Sequence, residues 1–366
     1  YFSARLMAVM QDEPEFVGFS VNYLSQALCA FAMVGFIKNI NPRIKIVLGG
    51  SLVTSWAALG VGKDKFAGLV DEMIAGAGEN KLLELLGVKN KNINCAPDYD
   101  DFPASDYLSP GFILPYSASR GCYWRGCAFC PEKAEENLYL PLPATQVNQE
   151  LAQLVKKYRP VLLHFLDNAL SPSMLNNLAQ HPPGVPWYGF ARVSKELADE
   201  KFCLSLKKSS CVMLKLGIES GEQKVLDKLN KGINLSDASA TLHSLKKAGI
   251  APYVYLLFGT PQENEESARK TLDFTVAHSD CIDFLNLAIF NLPIASDEAR
   301  ELETENFYEG DLSLYSSFRH PAGWDRQNAR NFLGKTFKKH PAVAPIIKRM
   351  PEFFTSNHAS FFSMQG

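Results

Sequence analysis

The sequence predicts an α/β protein with two parallel β-sheets and a helical segment at its C-terminal end. Strand-like runs alternate with helical stretches over residues 1–94 and again over residues 113–300, a pattern typical of parallel sheets with crossover helices. Residues 95–112 are rich in Pro, Asp and Ser and have the composition of a linker. Residues 301–366 are more polar and are predicted to be helical. We therefore expect two α/β domains, a linker and a C-terminal helical region.

The first domain is read from two strand-like runs, EFVGFSV and KIVLGG, with a helix predicted between them over residues 23–39. LVDEMIAGAG follows as a strand and turn, and KLLELLG as a short helix. A helix-like segment, FSARLMAVMQ, precedes the first strand. Because a doubly wound domain normally has a strand before that helix, we expect part of this domain to lie upstream of Tyr1.

The second domain contains six strand-like runs that helical stretches separate: ILPYSAS, VLLHFLD, WYGFARV, CVMLKLGIES, APYVYLLFGTP and DFLNLAIFNL. Six strand–helix units are fewer than the eight of a complete parallel barrel. The pattern therefore predicts a (β/α)6 partial barrel.

Charge and hydropathy exclude several classes of function. The net charge is −2 and the isoelectric point is about 6.4, so no overall basic field points to nucleic acid. The longest apolar run, residues 27–37, is shorter than the ~20 residues that a membrane span needs, and we interpret it as a buried helix. Five cysteines are scattered singly, which is typical of small core residues in a reducing, cytoplasmic compartment: Cys29, Cys95, Cys203, Cys211 and Cys281.

Three further cysteines lie close together in the segment SASRGCYWRGCAFCPEKA, directly after the first strand of the predicted barrel. They are Cys122, Cys127 and Cys130, with no histidine nearby. A parallel barrel carries its chemistry at the carboxyl ends of its strands, and three thiolates suit a soft metal or an iron–sulfur cluster. A zinc site with a fourth ligand elsewhere in the chain is the alternative.

The cysteine segment resembles the signature of the radical S-adenosylmethionine (SAM) superfamily, C-x3-C-x2-C, including an aromatic residue before the third cysteine. Here four residues, not three, separate Cys122 from Cys127. The segments GIES, KLNKG and LLFGTPQE follow in the order found in that family. The resemblance implies a [4Fe–4S] cluster on the three cysteines and a SAM site built from Phe129, Asp167, Asn168, Arg192, Glu219 and Ser220.

The family resemblance also implies a reaction. The open iron of the cluster would chelate SAM, and one electron from a flavodoxin- or ferredoxin-type donor would cleave SAM to a 5′-deoxyadenosyl radical. The cofactors carry the difficult chemistry, while the protein orients them and excludes water.

The first domain resembles cobalamin-binding Rossmann-like domains, in which S-x-L is followed after 26 to 28 residues by G-G. Ser20 and Asn22 occupy the first motif, with Asn in place of Leu, and Gly49 and Gly50 form the second. Gly76 begins a turn similar to the G-E-G-E turn of cobalamin-dependent radical SAM proteins. That class includes methyltransferases and the anaerobic magnesium-protoporphyrin ester cyclase. A fold that has lost cobalamin is the alternative.

We therefore predict a cobalamin-dependent radical SAM methyltransferase. The alternatives are a cyclase or rearrangement enzyme with an unused cobalamin domain, and a non-catalytic cobalamin or metal sensor. Strand alternation directs Lys215 and Glu219 to the same face, and Tyr188, Lys215 and Tyr255 are candidate substrate-pocket residues. His164 shares a face with Asn168 and not with Asp167, which leaves its direction undecided, and it is interpreted as a core histidine with a satisfied hydrogen bond. The sequence does not name the substrate.

Overall fold

The computed structural model describes residues 2–66, 68–88, 96–102, 106–305, 312–353 and 355–364. The chain forms two compact units. The first comprises Tyr1–Cys95, Pro293–Ala295 and Glu305–Ser317, and the second comprises Ala96–Leu292, Ser296–Thr304 and Phe318–Gly366. Cys95 and residues 103–105 of the predicted linker lie outside the described residues. In the part of the chain that is described, every helix is too short or too polar to cross a membrane.

The first unit begins with alternating helices and strands, in the order α1 (Phe2–Met10), β1 (Phe16–Ser20), α2 (Leu24–Ile40), β2 (Lys45–Gly49), α3 (Ser51–Ala58), β3 (Glu72–Met73) and α4 (Glu79–Leu85). A 3-10 helix, Lys63–Phe66, precedes β3. The three strands form a parallel sheet in the order β1-β2-β3. The predicted strands and the helix between them are confirmed, while α3 is an additional element.

The core of the first unit packs around Trp56, which is 1% exposed. Its ring lies near those of Phe31 and Phe66, and its indole Nε1 donates to the carbonyl oxygen of Leu312 at 2.8 Å. Leu312 and Leu314 pack against this core. A segment far along the chain therefore completes the first unit.

The second unit opens with the elements β4 (Ile113–Tyr116), β5 (Ser119–Arg120), α5 (Pro131–Ala134), β6 (Leu140–Pro141), α6 (Ala144–Tyr158), β7 (Leu162–Phe165), α7 (Pro172–Gln180), β8 (Trp187–Ala191), α8 (Glu200–Lys208), β9 (Cys211–Glu219), α9 (Gln223–Lys228), α10 (Leu235–Ala248), β10 (Ala251–Phe258), α11 (Glu265–Ala277) and β11 (Phe284–Ile289). Six strands form one parallel sheet in the order β4-β7-β8-β9-β10-β11. Each successive strand of this sheet is added at one edge, so the predicted parallel sheet of a partial barrel is confirmed.

Both faces of the six-stranded sheet carry clusters of buried apolar residues. The larger core lies between the sheet and its helices and includes Leu214, Leu216 and Ile218 of β9. The alternate residues of β9 face the other side, where Met213 joins a second apolar cluster with Tyr188 and Tyr253. This second side is the inner face of the sheet.

The chain after β11 contains β12 (Leu292–Pro293), α12 (Asp297–Glu301), β13 (Thr304–Glu305), β14 (Tyr315–Phe318), α13 (Arg326–Phe332), a π-helix (Leu333–Phe337), α14 (Ala344–Arg349) and α15 (Thr355–Ser363). The expectation of a helical region over residues 301–366 therefore holds from Arg326 onward. It does not hold for the short strands β13 and β14, which pair in a small sheet with β12. Residues of β14 alternate between exposed and half-buried positions, which is a strand pattern.

Candidate functional site

The three clustered cysteines lie on a loop whose base is closed by an antiparallel pair, β5 and β6. Ser119 pairs with Pro141, and Arg120 pairs with Leu140. Gly121 follows β5 with a φ of 70°, and a Cβ on it would overlap the carbonyl of Leu138. Because glycine alone tolerates both conditions, Gly121 lets the two ends of the cysteine loop approach each other.

Cys127 is buried, while Cys122 and Cys130 are half-buried. Burial raises the pKa of the Cys130 thiol to about 11, and the neighbouring Cys127 and Cys122 thiols raise it further. Backbone N–H groups of Glu132 and Lys133 oppose this shift by donating to the sulfur. A positive metal group would reverse the balance, because a coordinating thiol is deprotonated.

The cysteine loop is held against residues 229–232, which include part of the KLNKG segment. The Ala128 N–H donates to the Leu229 carbonyl at 2.9 Å. Trp124 Nε1 donates to the Asn230 carbonyl at 3.0 Å, and Asn230 Nδ2 donates to the Gly126 carbonyl at 2.9 Å. The KLNKG segment therefore acts as a support for the loop.

Arg192 lies against the same loop. Its guanidinium carbon is 4.4 Å from the centroid of the Trp124 ring, and its Nη1 lies 3.7 Å from the Cys127 sulfur. Its Nη2 donates to the Lys231 carbonyl. In this arrangement Arg192 places a positive charge beside a cysteine sulfur, and its role in the SAM site stays a prediction.

Glu219 forms a buried ion pair with Lys231 at the carboxyl end of β9. The Lys231 Nζ lies 2.7 Å from Glu219 Oε1, with side chains 7% and 11% exposed. The same Nζ lies 5.4 Å from the centroid of the Phe129 ring. Glu219 has a φ of 68°, and the pairing with β10 shifts register beside it. Lys231 thus joins two predicted SAM residues and was not itself predicted, although it stands in the KLNKG segment.

The other three predicted SAM residues are placed differently. Asp167 is buried, and its carboxylate accepts from the Ala118 N–H at 3.0 Å and from the Ser119 hydroxyl; burial raises its pKa. Ser220 is buried with its hydroxyl 3.2 Å from Thr271 Oγ1, and Asn168 is exposed. Asp167 and Ser220 therefore accept hydrogen bonds from nearby backbone N–H groups, those of Ala118 and Glu222. A SAM role for the three residues stays a prediction.

The inner face of the sheet holds a polar group among aromatic rings. Lys215 is 2% exposed, and its Nζ lies 4.9 Å from the Tyr188 ring centroid and 5.1 Å from that of Phe190. His164 stacks on Tyr188 with centroids 4.3 Å apart, and its Nε2 is 3.4 Å from Lys215 Nζ. Tyr255 contacts Phe190 from the next strand but one. The structure thus brings the three candidate pocket residues together and adds His164, whose direction the sequence left undecided.

In the first unit, the predicted cobalamin residues all lie at the carboxyl edge of the parallel sheet. Asn22 Oδ1 accepts from the Ser51 N–H at 3.0 Å, and Asn22 Nδ2 lies 3.4 Å from Ser20 Oγ. Gly49 is the last residue of β2. Gly50 has a φ of 104°, and a Cβ there would lie 2.5 Å from the Val21 carbonyl oxygen.

Gly76 completes this edge from the turn after β3. Its N–H donates to Thr54 Oγ1 at 2.8 Å, and the same hydroxyl donates to the Gly50 carbonyl at 3.1 Å. Thr54 was not predicted, and only its position four residues after Gly50 on a helix signals it. Small residues and backbone groups therefore line this edge, and their ligand stays a prediction.

The donor chemistry of the cysteine loop fits an iron–sulfur cluster. Within the described ranges, no three His, Cys, Asp or Glu side chains are arranged to hold a single metal ion. In a cubane cluster each cysteine binds a different iron, and three thiols spread along one loop suit that arrangement.

Comparison with known proteins identifies the domain. The model of the radical SAM superfamily matches residues 116–275. An uncharacterized methyltransferase of Pyrococcus horikoshii, PH0819, is 24% identical over 310 residues, which cover 75% of this chain and 66% of the relative. The anaerobic magnesium-protoporphyrin IX monomethyl ester cyclase of Rubrivivax gelatinosus is 24% identical over 359 residues, covering 83% and 63%. The chain therefore spans slightly less than two thirds of either relative.

Two solved structures share the fold. The methyltransferase TsrM of Kitasatospora setae, with tryptophan and a SAM analog bound, has a TM-score of 0.70 at 15% identity, covering 96% of this chain and 81% of that one. The cobalamin-dependent enzyme OxsB, with aqua-cobalamin bound, has a TM-score of 0.68 at 14% identity, covering 91% and 59%. The prediction made from the cysteine motif is thus confirmed: residues 116–275 of this chain form a domain of the radical SAM superfamily.

Proposed function

We propose that this radical SAM protein is a cobalamin-dependent methyltransferase that acts on an unactivated centre of its substrate. The observation that carries the proposal is the position of the Glu219–Lys231 ion pair. It lies at the carboxyl end of β9, and Lys231 also reaches Phe129 of the cysteine loop. The groups proposed for cluster and SAM are therefore joined by direct contacts.

Cys122, Cys127 and Cys130 would hold a [4Fe–4S] cluster. When bound, the cluster and SAM supply reductive cleavage to a carbon radical, and cobalamin supplies a carrier for the methyl group. Arg192 would stabilise negative charge at the Cys127 sulfur, because a guanidinium donor within reach of a thiolate forms a charge-assisted contact. Its stacking on Trp124 fixes the direction of that donor.

Glu219 would accept a hydrogen bond from a polar group of SAM while Lys231 holds its carboxylate in place. A buried ion pair keeps its geometry because separating the charges leaves one of them uncompensated. Phe129 and Trp124 cover the pair and the arginine, which limits the access of water to this part of the site.

The first unit would bind cobalamin at the carboxyl edge of its sheet, as a Rossmann-like domain. Support comes from the sequence spacing and from the small groups at that edge: Ser20, Asn22, Gly49, Gly50 and Gly76. Ligands of open parallel sheets bind outside the carboxyl ends of the strands. The backbone approach at Gly50 leaves no room for a side chain there.

Cyclisation is the second candidate function, since the cyclase of Rubrivivax gelatinosus matches the larger share of this chain, 83%. Methyl transfer is favoured because the other relative is named a methyltransferase and TsrM shares the fold over 96% of this chain. In either case we propose a flavodoxin or ferredoxin as electron donor.

The proposal is tested on the full chain reconstituted without oxygen with iron, sulfide and hydroxocobalamin. We expect a [4Fe–4S] EPR signal that SAM perturbs, retained cobalamin and 5′-deoxyadenosine after reduction. With SAM deuterated in its methyl group, the mass of the retained cobalamin should rise by one CD3 group. Formation of 5′-deoxyadenosine without methylated cobalamin would favour the cyclase.

The matched control replaces a cysteine outside the loop. Cys127→Ala should lose most of the iron and all SAM cleavage, whereas Cys29→Ala, at an exposed position in the first unit, should retain both. Equal iron content in the two variants would contradict the assignment of the cluster to the cysteine loop.

A further inference from the structure

Lys215 is a buried cation without an anionic partner among the described residues. Among the described residues no carboxylate oxygen lies within 4 Å of its Nζ, which contacts the rings of Tyr188 and Phe190 and the Nε2 of His164. The nearest acid on its own strand, Glu219, is paired with Lys231. A buried charge is ordinarily paired, so this site is incomplete by itself.

One end of the inner face is covered and the other is accessible. The Tyr188 hydroxyl lies 3.3 Å from Asn357 Oδ1 of α15, and Ala359 of the same helix joins the apolar cluster around Tyr188. Toward the carboxyl end of β9, Gly217 and Glu219 are half-buried. A partner for Lys215 must therefore enter from the carboxyl end, which is where the proposed SAM site lies.

The charge of Lys215 indicates the charge of the ligand group that it would bind. Burial lowers the pKa of Lys215 to about 8, which leaves the amine mostly protonated at pH 7. Burial, and then the charge of Lys215, lowers the pKa of His164 to about 3, so His164 remains neutral. The site offers one positive charge, which a carboxylate would balance and a phosphate dianion would exceed.

The aromatic rings around Lys215, and its distance from the proposed SAM site, indicate the character and the length of the remainder of the ligand. Tyr188, Phe190 and Tyr255 present aromatic surface beside the amine. The Glu219 carboxylate and the Lys231 amine lie over Gly217, where a Cβ would overlap both groups. Gly217 is two residues from Lys215 on β9, which corresponds to roughly 7 Å along a strand. An apolar molecule of that length would span from Lys215 to the proposed SAM site.

We propose that Lys215 binds the carboxylate of an apolar carboxylic-acid substrate, with His164 and the aromatic rings forming the pocket around the acid. The inference rests on the proposed function, because it places the reacting end of the substrate near Glu219. It identifies a substrate class and makes Lys215 a specificity-determining residue.

The test uses the reconstituted full chain and two matched probes, 4-phenylbutyrate and its uncharged amide, titrated by ligand-observed NMR at pH 7. Wild type should bind the acid at least about tenfold more tightly than the amide, because a hydrogen bond to a charged group is worth that much. Lys215→Met should abolish this preference by weakening the acid alone. Lys247→Met, at an exposed lysine of α10, should retain it.

A second readout is chemical. The acid, and not the amide, should protect Lys215 from acetylation by acetic anhydride, measured by mass spectrometry of its peptide. Equal affinity for both probes, binding of neither, or a preference that survives in Lys215→Met would overturn the inference.

The same preparations separate the two proposals. If wild type cleaves SAM but shows no preference for the acid, only the carboxylate site fails. If SAM is not cleaved while the preference and its loss in Lys215→Met are seen, only the proposed function fails.

Discussion

Replacing Glu263 by glutamine should remove a large part of the pH dependence of stability in the second unit. Glu263 is 1% exposed, and its Oε2 accepts from the Gly259 N–H and from Trp324 Nε1, the latter at 3.0 Å. Its Oε1 has no hydrogen-bond partner within the part of the chain that the structure describes. Burial raises the pKa of this carboxyl from 4.5 to about 7, against the effect of the two donors.

The raised pKa fixes the sign of the effect. Below pH 4.5 the carboxyl is protonated in both the folded and the unfolded chain, and the contribution of Glu263 is fully present. As the pH rises toward 7 the unfolded chain ionises and the folded chain does not, so the free energy of unfolding falls. The loss amounts to about 2.5 kcal/mol between pH 5 and pH 8.

The measurement is the free energy of unfolding in urea at several pH values, followed by tryptophan fluorescence. A glutamine keeps an acceptor oxygen for both donors and does not ionise. The fall in the free energy of unfolding between pH 5 and pH 8 should therefore be about 2.5 kcal/mol smaller in Glu263→Gln than in wild type. Glu265→Gln, at an exposed position on the next helix, is the control and should behave as wild type. Parallel pH profiles for wild type and Glu263→Gln would refute the reasoning.

Three further changes test the site and its support. Gly232→Ala should cost about 1–2 kcal/mol because the φ of 66° strains an L-residue. Its Cβ would also overlap the ring of Trp124, which holds the cysteine loop to Asn230, so iron content after reconstitution should fall; unchanged iron content would speak against the contact. Lys215→Met should raise the thermal midpoint at pH 7, because the buried charge has no counter-ion; calorimetry showing a lower midpoint would contradict this. Gly50→Ala should destabilise the first unit by about 1–3 kcal/mol, because its Cβ would overlap the Val21 carbonyl and its φ is positive. The amount of cobalamin retained after gel filtration should also fall, and full retention would count against this edge as the binding site.

Local patterns were sufficient for the architecture of the second unit. Each of the six strands was a run of apolar residues followed by a helical repeat, and consecutive strands of such units lie next to each other because crossover connections are short. The motif of Cys122, Cys127 and Cys130 could likewise be read locally, since all three thiols come from one loop after the first strand. These predictions depended only on residues close together in the chain.

Contacts between distant segments could not be predicted in this way. Lys231 meets Glu219 only because the register of β9 shifts at its end and the segment containing α9 folds back. Leu312 reaches the core around Trp56 from 256 residues away. Strand alternation limited His164 to two faces without choosing between them. In the structure the His164 ring stacks on Tyr188, which places it on the inner face of the sheet.

By itself, then, the sequence determined the six strands of the larger sheet, their order in it and the donor set of the cysteine loop, because hydrophobic periodicity and residue chemistry are local properties. The tertiary structure alone decided which charges are paired. Arg192 contacts the cysteine loop and Lys231 pairs with Glu219, while Lys215 is buried with no carboxylate beside it in the described ranges. Pairing depends on which side chains converge in space, and that is set by the packing of the whole unit.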